Sequence, residues 1–201
     1  MPRNSNYRVK LRRRREGKTD YHARKAMVIS GLPRLVPRFS SRNVSVQIIT
    51  SKVKGDEVVS AAHSRELKKR YDWKFPTGNI PTAYLTGLIC GLKAKNKGVK
   101  SAILDIGLIN PSKGSKIFGA LCGIIDAGID IPHDEKKIIK ERLDGLHIAA
   151  YGSILESDSD AYSRKFSKYV RQKISPKDLP EYFSKIKSEI INSFNNGDKK
   201  T

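Results

Sequence analysis

Alternation of apolar and polar positions predicts three strands after the break at Gly31 and Pro33. Arg34–Ser40 and Val44–Thr50 form a hairpin around Ser41-Arg42-Asn43. In its second strand Val44, Val46 and Ile48 point one way, and Ser45 and Gln47 the other. In the first, Arg34 and Arg38 share a face, and Pro37 predicts an edge or a bulge. Such strands pack one side on a core and keep an Arg/Ser/Gln side for a partner. Lys54-Gly55-Asp56 turns the chain into a third strand, Glu57–His63.

The period then becomes helical. Asn79–Lys97 reads as a helix with Asn79 as cap, Pro81 in the first turn, Gly98 just past the end, and a stripe of Leu85, Leu88, Ile89 and Leu92. Gly87 and Gly91 inside it each cost about 1 kcal/mol relative to alanine, so a neighbouring backbone must come close. Ser101–Leu108 is short and apolar on both faces, the pattern of a central parallel strand. A helix over Ser115–Ala127 follows, with its own pair of small residues, Gly119 and Gly123. Together these predict an α/β fold, a mixed sheet with packed helices. Helical segments Asp134–Leu155, Ser157–Ile174 and Ser175–Phe194 come next, with a frayed end over residues 195–201. Their stripes need an apolar surface, supplied by the domain or by another chain. The division is thus an arm (1–25), an α/β core (26–133) and a helical extension (134–201).

Charge changes the picture of the arm. Residues 1–25 hold ten Lys/Arg against Glu16 and Asp20, with Arg12, Arg13, Arg14 and Arg15 adjacent, within a 201-residue chain of net charge +20. Such a run disfavours a compact state unless a polyanion neutralises it, and guanidinium forks suit phosphate. The arm is expected to be extended, with a helix near Asp20–Met27, and to order on its partner. Net charge is +9 over 26–133 and only +3 over 134–201, so nucleic acid is expected at the front of the molecule. On this ground Arg8, Lys10, Lys25, Lys113 and Lys116 are candidate RNA contacts, and Asn43 and Gln47 join them from the hairpin turn and its polar face.

Other chemistry is weighed and set aside. Gly17-Lys18-Thr19 resembles the end of a P-loop, but its leading glycine would be Arg12 and no strand precedes it. Asn110–Lys116 leads from a strand into a helix N-terminus, as a phosphate site or as a plain turn. Tyr71, Trp73 and Phe75 stand among five cations in Arg65–Phe75 and either stack on bases or anchor a loop. Asp105, with Asp126 and Asp130, falls short of a two-metal nuclease site, and the four histidines form no ligand pair. Cys90 and Cys122 read as buried hydrophobes. No run reaches the ~20 apolar residues of a spanning helix, and the arm has no signal-peptide core.

Arg12–Tyr21 (RRRREGKTDY) with His22-Ala23-Arg24-Lys25, then Lys116–His133 (KIFGALCGIIDAGIDIPH), resembles the 5S-rRNA-binding family of the large ribosomal subunit. That family is called protein eighteen in bacteria and archaea and protein five in eukaryotes. The hairpin and the tail Asp160–Tyr182 resemble it too, and the length matches the archaeal form. The resemblance implies a ribonuclease-H-like layer without catalytic carboxylates, in a cytoplasmic ribosomal protein that is not an enzyme. The implied partners are 5S rRNA, large-subunit (23S-type) rRNA in the central protuberance and neighbouring large-subunit proteins. No cofactor, metal, membrane or small-molecule substrate is implied. Arg12–Arg15, Lys18, Thr19, Tyr21, Arg24, Arg34, Arg38 and Arg42 become RNA contacts by that similarity. A general nucleic-acid-compacting protein and a metal-dependent nuclease are the alternatives.

Overall fold

The strands form where the alternation places them. In the computed structural model, which describes residues 5–195, they are β1 (Arg34–Phe39), β2 (Val44–Lys52) and β3 (Gly55–His63). A two-residue β4 (Ile103–Leu104) completes a sheet of order β3-β2-β1-β4, antiparallel except for β1 with β4. Leu35 faces Ile48, Pro37 faces Val46 and Phe39 faces Val44, so the apolar set of the hairpin lies on one side. Pro37 follows the last β4 partner, Leu35, on a stretch of β1 whose far edge is open; its missing N–H costs no ladder bond there.

β4 corrects the expectation of a central strand. It is parallel, but it ends the sheet order, extended only by a single bridge between Ser101 and Asp130. Asp105 stops it: the carboxylate accepts the Gly107 N–H at 3.0 Å, and Gly107 turns away at φ 66°. At the opposite edge, Lys93 and Lys97 donate to the carbonyls of Ala61 and Val59, which blunts β3 against pairing with another chain.

Helix α4 (Ile80–Asn96) is capped by Asn79, whose carbonyl accepts the Thr82 N–H at 3.0 Å, and α5 (Lys116–Asp126) packs on it. The glycines make the contact. A Cβ on Gly87 would lie 2.2 Å from the Ala120 carbonyl oxygen, and one on Gly123 would lie 2.1 Å from that of Tyr84. The core face of the sheet lies under α4, with Leu35, Val46, Ile48, Leu85 and Leu88 fully buried. Cys90 and Cys122 are free and buried, and burial pushes both thiols up to about 11.

Between β3 and α4, a seven-residue helix α3 (Ser64–Arg70) leads into the aromatic run. Trp73 and Phe75 are 2% and 1% exposed and stack with Tyr169 and Tyr182 at centroid distances of 5.5–6.0 Å. The anchoring alternative is therefore the one realised. What they anchor is the tail, and the surface under the tail helices is the domain itself.

That tail is more broken than its periodicity predicts. Asp134–Leu155 splits into 3-10 turns at Glu135–Lys137 and Lys140–Arg142, then α6 (Leu146–Leu155) starts after Gly145 at φ 91°. Ser157–Ile174 splits into α7 (Ser159–Lys165) and α8 (Ser167–Gln172) at Phe166, which is buried between Tyr162 and Tyr169. Ser175 caps a 3-10 turn at Pro176–Asp178 that runs into α9 (Leu179–Asn195). Of the residues expected to fray, 195–201, Asn195 is the last of α9 and the rest lie outside the described residues.

Candidate nucleic-acid interface

The arm is less extended than expected. Arg12–Arg15 form a single helical turn, α1, and Tyr21–Ile29 form α2, capped by Asp20, which accepts the His22 and Ala23 N–H groups at 2.9 and 3.2 Å. The capping carboxylate explains why the helix starts there. α2 lies over the outer face of the sheet, where Arg34, Val36 and Arg38 pair across from Ile49, Gln47 and Ser45. Between arm and sheet is a cleft of about 630 Å³.

A chain of alternating charge runs beneath this cleft. Arg24 grips Asp56 with one Nη at 2.8 and 2.9 Å from the two carboxylate oxygens, which ties α2 to β3. Arg34 reaches from β1 to both acids, with Nη2 2.8 Å from Asp56 and Nη1 2.7 Å from Asp105. Arg38 closes the chain on the Asp105 carbonyl at 3.0 Å and stands 3.5 Å from its carboxylate. Partial burial pushes the Asp56 pKa up, but Arg24 and then Arg34 outweigh it and hold the carboxyl below its usual value. Three guanidiniums meet two carboxylates, so positive charge is left over. Arg38, with 47% of its side chain exposed, carries it to solvent.

Apart from Arg34, the candidates from the sequence fall into four groups. Thr19, Tyr21, Arg24 and Arg38 come together around the cleft with Arg13 and Lys18, and Arg13 Nε donates to the Thr19 hydroxyl at 2.8 Å. Arg8, Lys10, Arg12, Arg14, Arg15 and Lys25 are exposed along the arm, and among the described residues Arg14 and Arg15 have no acidic partner. Arg42 is exposed at the hairpin tip beside half-buried Asn43, and the Thr77 hydroxyl pins that tip by donating to the Arg42 carbonyl at 2.6 Å. Gln47 is half-buried on the outer face. Lys113 and Lys116 lie apart, at the start of α5, with Lys116 5.7 Å over the Phe39 ring.

Two expectations change here. Arg34, expected as a contact, is only 2% exposed and is committed to Asp56 and Asp105; it positions the site from inside. The loop Asn110–Lys116 is a turn rather than an open anion site: Gly114 is buried, its N–H donates to the Lys137 carbonyl at 2.9 Å, and Ile139 packs against it. Asp56 was missed altogether. Its partners Arg24 and Arg34 stand 32 and 22 residues away, and Lys54-Gly55-Asp56 reads as a turn, so no local signal marks it. Among the described residues no three His, Cys, Asp or Glu side chains cluster as a metal site, and no helix is long and apolar enough to cross a membrane.

Fold and site together define a basic α/β protein whose front face holds more positive charge than its own carboxylates neutralise. The sequence model described as ribosomal large subunit proteins 60S L5 and 50S L18 matches residues 5–100 and 92–134. The large ribosomal subunit protein uL18 of Methanococcus maripaludis is 48% identical over 193 residues, covering 96% of this chain and all of its own. Those of Caldivirga maquilingensis and Sulfurisphaera tokodaii are 46% and 47% identical over 196 and 191 residues, covering 96% and 94% of this chain and 95% and 97% of theirs. The chain belongs to this family of large-subunit ribosomal proteins, in its archaeal form. It is a structural component of the cytoplasmic ribosome, not an enzyme.

Proposed function

We propose that the chain binds 5S rRNA and helps attach it to large-subunit rRNA in the central protuberance, beside neighbouring ribosomal proteins. The observation that carries this reading is the convergence of the arm and the outer sheet face on one cationic cleft, with Arg13, Lys18 and Arg38 around it. The arm, residues 1–25, supplies Arg8, Lys10, Arg12, Arg13, Arg14, Arg15, Lys18, Thr19, Tyr21, Arg24 and Lys25. The core, 26–133, adds Arg38, Arg42, Asn43, Gln47, Lys113 and Lys116, while Arg34 positions rather than touches. The extension, 134–201, buttresses the core with its described residues, 134–195. Because the major groove of A-form RNA is closed to side chains, recognition works through RNA shape, loops and bulges.

The test is binding of purified 5S rRNA by the full chain and by a chain lacking residues 1–18, across a salt series. The full chain is expected to show a log–log salt slope of roughly −0.7 to −0.9 per phosphate neutralised, and the shortened one a shallower slope and a smaller footprint. Equal competition by duplex DNA at fixed salt would reassign the chain to general nucleic-acid binding.

A further inference from the structure

We infer that the cleft between α2 and the outer sheet face receives one unstacked base of the bound RNA. The cleft holds about 630 Å³, which falls in the range of sites that enclose whole small molecules. A phosphate alone needs far less room and gains nothing from an apolar lining. Yet Val36, Ile49, Leu104 and Met27 line this cleft, a surface suited to the flat face of a base. Tyr21 adds a half-buried ring of the kind on which splayed bases stack. Arg13, Lys18 and Arg38 supply cations for the phosphates on either side of a flipped nucleotide.

A second observation comes from Arg34. Both of its terminal nitrogens are paired with carboxylates, but its Nε is buried with no acceptor in a residue 2% exposed that lines this cleft. That nitrogen is closed off from the cleft, so Arg34 stiffens the floor beneath the base rather than bonding to it. Asp56 and Asp105, already held by arginines, do not repel the incoming nucleotide as free carboxylates would.

This inference rests on the RNA-binding reading above and names the element of RNA recognised: a bulged or looped-out nucleotide. Met27→Trp tests it, because the indole fills the cleft without changing charge. Met27 is half-buried on a helix with no buried residues, so the core is untouched. The expected result is binding to 5S rRNA about ten-fold weaker at an unchanged salt slope. One base should lose its protection from Watson–Crick-edge probes while backbone protections persist. A Met27→Cys chain carrying a short photo-crosslinker gives an independent reading, since Cys90 and Cys122 are buried; its crosslinks should map to one unpaired nucleotide. Unchanged affinity and footprint in Met27→Trp, or crosslinks scattered along paired helices, overturn the base site and leave the RNA-binding reading standing. Failure of the unaltered chain to bind the RNA removes both.

Discussion

Asp105 shows how a residue type is misassigned when its neighbours are unknown. On an apolar strand it has the look of a catalytic carboxylate, yet it is the acidic partner of buried Arg34 and accepts the Gly107 N–H that ends β4. Removing one member of a buried ion pair leaves the other charged and desolvated, at a cost of about 3–5 kcal/mol. Asp105→Asn should therefore destabilise the protein by about 3 kcal/mol in urea unfolding. Pairing it with Arg34→Met should recover much of that loss. An Asp105→Asn protein as stable as the parent would show the pair to be incidental. Asp56 gives a pH prediction of opposite reach. Its folded pKa lies below the ordinary value, so its stabilisation is complete above the unfolded pKa of about 3.9 and is lost only as the pH falls through the lower folded value. Amide signals of Tyr21–Ile29 should thus keep their docked positions down to about pH 4 and shift in stronger acid. In Asp56→Asn they should sit at the undocked positions at neutral pH; arm signals that ignore both changes would mean Arg24 does not hold the helix.

Among elements, legibility followed how local the causes were. β1–β3, α4 and α5 depend on side-chain period, caps and small residues within each segment, and all five lie within a few residues of their predicted bounds. The arm helix, expected near Asp20–Met27, forms at Tyr21–Ile29, where Asp20 caps it. β4 was not legible, because its two-residue length depends on the Asp105–Gly107 turn and on pairing with Arg34 and Leu35 far away in sequence. Nor were the breaks in the tail, which come where Phe166 is drawn inward and where Gly145 takes a left-handed conformation. At the site the cations were legible one by one; their order around a cleft, and the carboxylates that bind three of them, were not. The paired glycines allow a test of the strongest element-level reading. Helix propensity alone favours Gly123→Ala by about 1 kcal/mol. The added Cβ, however, meets the Tyr84 carbonyl oxygen and the Leu88 nitrogen, backbone atoms that cannot swing aside. Overpacking of this sort costs about 1–3 kcal/mol or more. We expect a net loss of stability and a lower thermal midpoint; a Gly123→Ala chain melting higher than the parent would mean the helices can part at little cost.

At the scale of the whole molecule, the basic front and the near-neutral tail share one buried core. α9 buries Leu179, Phe183, Ile186 and Ile190 in the same core that holds the sheet and α4. Polar clasps surround that seam: the Tyr84 hydroxyl donates to Asp126, Lys187 stands 3.2 Å from the same carboxylate and 4.9 Å over the Tyr84 ring, and the Tyr182 hydroxyl donates to the Asp72 carbonyl at 2.8 Å. Four apolar side chains buried at roughly 1.5–3 kcal/mol each account for as much as the whole stability margin of an ordinary domain, about 5–15 kcal/mol. A chain ending at residue 174 should then lack a native core. It should show weak near-UV circular dichroism and no cooperative melt, whereas the full chain should melt in one transition. If instead the shortened chain melts like the parent, or the full chain melts in two steps, the helical extension is an independent attachment. The RNA-facing surface would then owe nothing to it. The aromatic seam argues the other way, since Trp73 and Phe75 reach the tail from the segment directly after α3, and the hairpin tip is pinned to Thr77 only two residues further on.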